Sequence, residues 1–223
     1  MINIAIDGPA GAGKSTIAKA VSKELGFVYV DTGAMYRAIG IYLSRLGIDP
    51  SDEAAIDNAM PGATVDIKYI DGAQRVFLGE EDVTGLLRTE EAGNMASSVS
   101  RFSSVRTKLT QLQKDLAVKQ NVVMDGRDIG SAVLPNAEVK IYLTASEQAR
   151  GERRYKELTE KGEKADLNTI IADIAARDHQ DMTREISPLV QAEDAILLDS
   201  SDMNIEEVIN AVLGICRTKG VID

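Results

Sequence analysis

The stretch Ile2-Asn3-Ile4-Ala5-Ile6-Asp7-Gly8-Pro9-Ala10-Gly11-Ala12-Gly13-Lys14-Ser15-Thr16 joins an apolar run to a G-x-x-x-x-G-K-[ST] pattern. Residues 2–6 read as a buried parallel strand that ends at Asp7. From Lys14 the spacing becomes helical. Ile17, Ala18, Val21 and Leu25 fall on one face, and Gly26 is a stop signal before the apolar run Phe27 to Val30. Strand, loop, helix and strand thus follow in the order a phosphate-binding loop needs. Phosphate oxygens require several converging backbone N–H donors; glycine lets a loop wrap them closely, and the positive end of the next helix adds to the cradle. Gly8, Pro9, Ala10, Gly11, Ala12, Gly13, Lys14, Ser15 and Thr16 are the candidate ATP-binding residues. Lys14 is expected to reach the β- and γ-phosphates, Ser15 to offer its hydroxyl to Mg²⁺, and Thr16 to donate near the α-phosphate.

Working outward, short apolar runs at Val122 to Met124, Val139 to Leu143 and Ala195 to Leu198 are separated by long helical patterns. This predicts an α/β fold, a parallel sheet flanked by helices. Between Thr64 and Leu78 the period drops to two around Asp71-Gly72, which predicts a small antiparallel insertion. Helical segments at roughly 51–60 and 89–118 flank it. Residues 146–167 mix Arg150, Arg153, Arg154, Lys156, Lys161 and Lys164 with five glutamates. That pattern fits a solvated helix laced with i,i+4 pairs or a mobile covering piece.

The 223 residues carry 25 Lys and Arg against 35 Asp and Glu, a formal charge of −10, with 44% hydrophobic and 27% charged residues. These proportions fit a globular chain with one or two cores and exclude disorder as the main state. The acidic balance argues against a nucleic-acid polymer as partner, although a local basic cleft can still hold phosphates. No run approaches the roughly 18 apolar residues of a membrane helix, and no basic region precedes Asp7, so no membrane association and a cytoplasmic location are expected. A single cysteine, Cys216, and a single histidine, His179, rule out an internal disulfide and a structural zinc site. Cys216 reads as a buried structural thiol, and a monomer is expected because no long unpaired apolar pattern stands out.

Met124-Asp125-Gly126-Arg127-Asp128 follows a second apolar strand, so Asp125 falls at a strand's carboxyl end, where it can meet the loop's Mg²⁺ through water. Asp7 competes with it for outer support of the metal. A chain with this loop could be a GTPase, a motor ATPase or a small-molecule kinase. No N-K-x-D guanine-reading motif is present, and the chain is short for a motor, so a small kinase leads. Arg37, Arg106, Arg127, Arg177 and Arg184 come from separate segments, and a dianionic acceptor phosphate needs such converging donors.

Five segments carry a resemblance to a known family: Gly8 to Thr16, Asp31-Thr32-Gly33-Ala34-Met35-Tyr36-Arg37, Gly79-Glu80-Glu81-Asp82-Val83 with Arg88-Thr89, Asp125-Gly126-Arg127-Asp128-Ile129-Gly130, and Arg177-Asp178-His179-Gln180-Asp181-Met182-Thr183-Arg184. In this order, and over essentially the whole chain, they resemble the bacterial cytidylate kinases, nucleoside monophosphate kinases on a P-loop NTPase core. An adenylate kinase would carry Phe-Pro-Arg where Arg127-Asp128 stands.

The resemblance implies transfer of the ATP γ-phosphoryl group to CMP or dCMP. It implies a core (about 1–37, 90–145 and 168–223), an acceptor-binding insertion (about 38–89) and a helical lid (about 146–167). By position, Thr32, Tyr36 and Arg37 match the segment that holds the acceptor nucleotide, and Ser97 matches a cytosine-contacting serine; Thr32 stands where some members have Ser. Arg106, Arg127 and Asp128 match further acceptor contacts. Arg177, Asp181 and Arg184 match groups around the acceptor sugar and phosphate, and their spacing would place them on one face of a predicted helix.

Because an acceptor phosphate is already ionised at neutral pH, charge stabilisation is expected to do most of the work. Lys14, Arg127, Mg²⁺ and an arginine from the Arg150, Arg153, Arg154 group are the candidates for it. The competing readings are a kinase for another acceptor, such as UMP, AMP or a shikimate-like hydroxy acid, and a regulatory ATP-binding switch.

Overall fold

A computed structural model describes residues 1–222. In chain order the regular elements are β1 (Asn3–Asp7), α1 (Lys14–Leu25), β2 (Val28–Asp31), α2 (Thr32–Arg45), α3 (Glu53–Ala59), β3 (Val65–Ile70), β4 (Ala73–Leu78) and β5 (Glu81–Asp82). There follow α4 (Glu90–Val99), α5 (Ser103–Ala117), β6 (Val122–Gly126), β7 (Val139–Thr144), α6 (Glu147–Glu160), α7 (Leu167–Thr183), β8 (Ile196–Asp199) and α8 (Ile205–Thr218). The chain divides into two compact units, one of residues 1–29 with those from 120 onward, the other of residues 30–119.

The first unit is built on a five-stranded sheet of order β2-β6-β1-β7-β8. β1 runs parallel to β6 and β7, and β7 runs parallel to β8. Ile4, Ala5 and Ile6 have no exposed surface, as a strand covered on both faces requires. The apolar stripe of α1 (Ile17, Ala18, Val21) and that of α8 (Val208, Val212, Leu213, Cys216) join Ile4, Ile6, Val123, Val139, Ile141 and Leu143 in one cluster. The Cys216 thiol, pushed up to about 11 by burial, is a core group rather than a nucleophile. Register pairs Asp7 with Gly126 and Tyr142, so the carboxyl ends of β1, β6 and β7 form one edge. In open α/β sheets ligands bind outside that edge.

In the second unit, α2 packs on α4, β4 and α5. Asp31 caps α2 by accepting from the Ala34 N–H at 2.8 Å. The expected hairpin is present, turning through Asp71 (φ 53°) and Gly72 (φ 72°), the left-handed pair a two-residue turn demands. β5 extends it to three strands.

One expected helix, about 89–118, is two. Ser100-Arg101-Phe102 separates α4 from α5, and Phe102 is extended at φ −82°, ψ 137°. Three residues are close to one helical turn, so the apolar period continues across the break and conceals it in the sequence. Arg106 donates to the Ser100 carbonyl at 3.0 Å, satisfying a group at the end of α4.

Candidate active site

The loop between β1 and α1 owes its path to its glycines. Gly8 lies at φ 150°, and a Cβ there would stand 1.9 Å from the Leu143 carbonyl oxygen. Gly13, at φ 86°, precedes α1 and offers no side chain to cap it. The first N–H groups of α1 therefore face outward as an anion cradle, where Ser15 and Thr16 are exposed. Lys14 is 5% exposed and its Nζ donates to the Pro9 carbonyl at 2.7 Å. Burial, and after it the Arg127 charge, lowers the Lys14 pKa to about 7 against the opposing pull of Asp125, Asp181 and Asp7.

The Ser15 hydroxyl donates to Asp125 Oδ2 at 2.8 Å. A hydroxyl and a carboxylate side by side are hard oxygen ligands of the kind Mg²⁺ takes. Asp7, the competing candidate for outer metal support, is engaged by the backbone. Its two oxygens accept from the N–H groups of Ile129 and Gly130 at 2.8 and 2.7 Å, fixing the segment that carries Arg127 and Asp128. Burial raises its pKa to about 6, although both N–H bonds favour the charged form.

Beside this edge stands a charge cluster. Arg127 Nε bonds Asp181 Oδ2 at 2.9 Å. Arg184 lies 3.6 Å from both Asp181 Oδ1 and Asp128 Oδ1, with its side chain 5% exposed. Arg184 does not share the helix face expected for Arg177, Asp181 and Arg184. α7 stops at Thr183, and Arg184 is extended at φ −63°, ψ 143°. The chain folds back so that the Leu189 N–H reaches the Asp181 carbonyl at 2.8 Å and Arg184 Nε reaches the Ser187 carbonyl at 2.6 Å. Arg184 joins Asp181 through that turn, while Arg177 is exposed on α7.

The remaining sequence candidates belong to the second unit. Thr32 is buried at the start of α2, and Tyr36 and Arg37 are half-buried one turn on. Arg37 pairs with Asp31 at 3.2 Å. The Arg106 guanidinium lies 5.7 Å from the Tyr36 ring centroid, and Ser97 is half-buried on α4. Gln74, which sequence reading did not single out, grips Asp31 from β4: its Oε1 accepts from the Asp31 N–H at 2.8 Å, and its Nε2 donates to the Asp31 carbonyl at 3.3 Å.

A sequence profile described as cytidylate kinase matches residues 4–218. The chain belongs to the cytidylate kinase family. A cytidylate kinase of Caldicellulosiruptor bescii is 50% identical, covering 95% of this chain and 94% of that one. A cytidylate kinase of Lactiplantibacillus plantarum is 47% identical, over 98% and 96%. The solved shikimate kinase of Bacteroides thetaiotaomicron superposes with a TM-score of 0.50 at 12% identity, over 97% and 98% of the two chains, a likeness of fold alone.

In this cytidylate kinase family member the three lid-candidate arginines differ sharply. Arg150, 4% exposed, donates from Nε to the Ala145 carbonyl and from Nη1 to the Ala10 carbonyl, both at 2.8 Å. It also pairs with Asp178 at 2.6 Å. Arg153 is held by the Ser200 carbonyl and hydroxyl. Arg154, with its side chain 48% exposed, pairs with Glu157. Asp178 is the residue that sequence reading passed over. It is 6% exposed, and its Oδ1 accepts from the Ala10 N–H at 3.2 Å. Its sequence signal was a carboxylate one position from Arg177 and three from Asp181. Ala10, an expected phosphate donor, thus has its N–H directed to Asp178.

Proposed function

We propose that this chain transfers the ATP γ-phosphoryl group to CMP or dCMP, giving ADP and CDP or dCDP. The observation that carries the reading is the part-buried Arg127, Arg184, Asp128 and Asp181 cluster in the same unit as the phosphate loop. A cationic set of this kind suits an acceptor that is itself a phosphate, and its carboxylates suit sugar hydroxyls. Thr32, Tyr36, Arg37, Ser97, Arg106 and Arg177 are the further acceptor-binding residues of this reading. The loop from Gly8 to Thr16 holds the ATP phosphates. Ser15 directly and Asp125 through water would hold Mg²⁺, which when bound offsets the negative charge of the phosphates.

The acceptor oxygen is already ionised, so this chain's own task is placement and charge. Lys14 swaps the Pro9 carbonyl for phosphate oxygens. Of the three lid arginines we assign the contact with the transferring group to Arg154, because an exposed pair with Glu157 holds it by only ~0.2–1 kcal/mol. Arg150 and Arg153 are tied to backbone carbonyls. Residues 146–167 form the lid that keeps water from the γ-phosphate. Of the described residues, no helix is long and apolar enough to cross a membrane. We read the chain as a cytoplasmic monomer.

Coupled ADP release with Mg-ATP, run separately with CMP, dCMP, UMP, AMP, GMP, shikimate and no acceptor, tests the reading. CMP-dependent turnover that falls about 100-fold or more in Arg184→Ala is expected, since the loss removes a guanidinium from the acceptor-phosphate cluster beside Asp128 and Asp181. Release indifferent to every acceptor would make the protein an ATPase or switch instead.

A further inference from the structure

The two peptide groups that flank one residue of the phosphate loop, Ala10, are gripped from helices outside the loop. Ala10 donates its N–H to Asp178 on α7 and accepts at its carbonyl from Arg150 on α6, and the two side chains pair with each other at 2.6 Å. Both are more than nine-tenths buried, so the ring of contacts is dry and its charges compensate one another. Arg150 is itself fixed by the Ala145 carbonyl at the end of β7. Its stem also runs under the loop: a Cβ on Gly11 would meet the Arg150 Cβ at 3.5 Å.

We infer that Asp178 and Arg150 are a positioning pair for the donor nucleotide, clamping Ala10 so that the N–H groups after it point at the ATP phosphates. An N–H already bound to a carboxylate does not serve phosphate, and a loop pinned at Ala10 has its later donors set in advance. The ordering cost of the cradle is then met in folding rather than at ATP binding. Asp178 and Asp181 lie one turn apart on α7, the first on the donor loop and the second on Arg127. The inference rests on the phosphotransfer reading for its kinetic consequence and on geometry alone for its effect on ATP affinity.

The test uses the full chain with Asp178→Asn, Arg150→Lys and the double variant. Asp178→Asn keeps the size but loses the charge; Arg150→Lys keeps the charge but cannot serve Ala10, Ala145 and Asp178 together. Mg-ATP affinity is measured by calorimetry without acceptor, and KM for ATP and for CMP by coupled assay. Each single change is expected to weaken ATP binding about tenfold, the double change no further, with the CMP KM moving less than about twofold. If Asp178→Asn does not fold, Arg150→Lys alone decides. Unchanged ATP affinity with a lowered melting temperature, or parallel rises in both KM values, would overturn the inference. Wild-type protein that binds Mg-ATP but leaves CMP unmodified would refute the phosphotransfer reading, and the ATP affinities would still decide the clamp.

Discussion

Lys14 links ATP binding to a proton. Buried against the Pro9 carbonyl, it has its pKa lowered from 10.5 to about 7, first by loss of solvent and then by Arg127. At pH 8 the resting protein then carries the ammonium in only a minority of molecules, whereas a polyphosphate beside the amine restores the charged form. ATP binding at pH 8 should therefore take up a large fraction of a proton per site, and less at lower pH. Affinity should weaken by close to tenfold per pH unit above 8. The sign on stability follows. Between about 7 and 10.5 the unfolded chain binds more protons at this lysine than the native one, so the resting protein gains stability from it as pH rises. Calorimetry of Mg-ATP binding at pH 8 in buffers of different ionisation enthalpy measures the uptake, with Lys14→Met as the control that abolishes it. Heats independent of the buffer would show that Lys14 is already charged at rest and would refute the reasoning.

Three further changes test other parts of the structure. Gln113 is 1% exposed and neither atom of its amide has a hydrogen-bond partner among the described residues, so Gln113→Leu should stabilise the fold by about 1–2 kcal/mol in urea denaturation; a loss would reveal a bond the side chain makes. Asp7→Ala should cost about 2–5 kcal/mol by the same measurement, because it strands the Ile129 and Gly130 N–H groups, and a change under 1 kcal/mol would mean water replaces the carboxylate. Gly8→Ala should cost more than about 3 kcal/mol or abolish ATP binding, since its Cβ would meet the Leu143 carbonyl; wild-type stability and affinity would show that the loop re-routes freely.

The fold was legible where one period governed a segment. β1, the loop and α1 could be read from Ile2 to Gly26 because composition and spacing change at Asp7 and again at Lys14, and the hairpin because Asp71-Gly72 is a strong local signal. The break at residues 100–102 was hidden because three residues nearly complete a turn. At the site, residue types in a motif announced Lys14, Ser15 and Asp125, but the division of labour among carboxylates depends on tertiary distances. Asp7, Asp125, Asp128, Asp178 and Asp181 look alike in sequence; the structure gives them backbone N–H groups, a hydroxyl, Arg184, Ala10 with Arg150, and Arg127 respectively. Gln74 carries no sequence signal, because a strand glutamine becomes meaningful only when β4 sets it against Asp31.

The arginines at this site are matched by carboxylates. Three arginines with poor access to water would repel one another and lose solvation if left alone; each instead has a carboxylate, Arg127 with Asp181, Arg150 with Asp178 and Arg184 with Asp128. Such pairs contribute little net stability, because desolvation offsets most of the attraction. Their value lies in holding guanidinium groups in place before any phosphate arrives. The geometry separates two kinds of pair. Arg184 is held by the Ser187 carbonyl at 2.6 Å and stands 3.6 Å from its carboxylates, whereas Arg150 meets its carboxylate at 2.6 Å and two carbonyls besides. Under the proposed function, Arg127 and Arg184 meet substrate, and Arg150, whose guanidinium is spent on Asp178 and two carbonyls, holds the loop. Variants at Arg184 should therefore act on the acceptor and those at Arg150 on the donor.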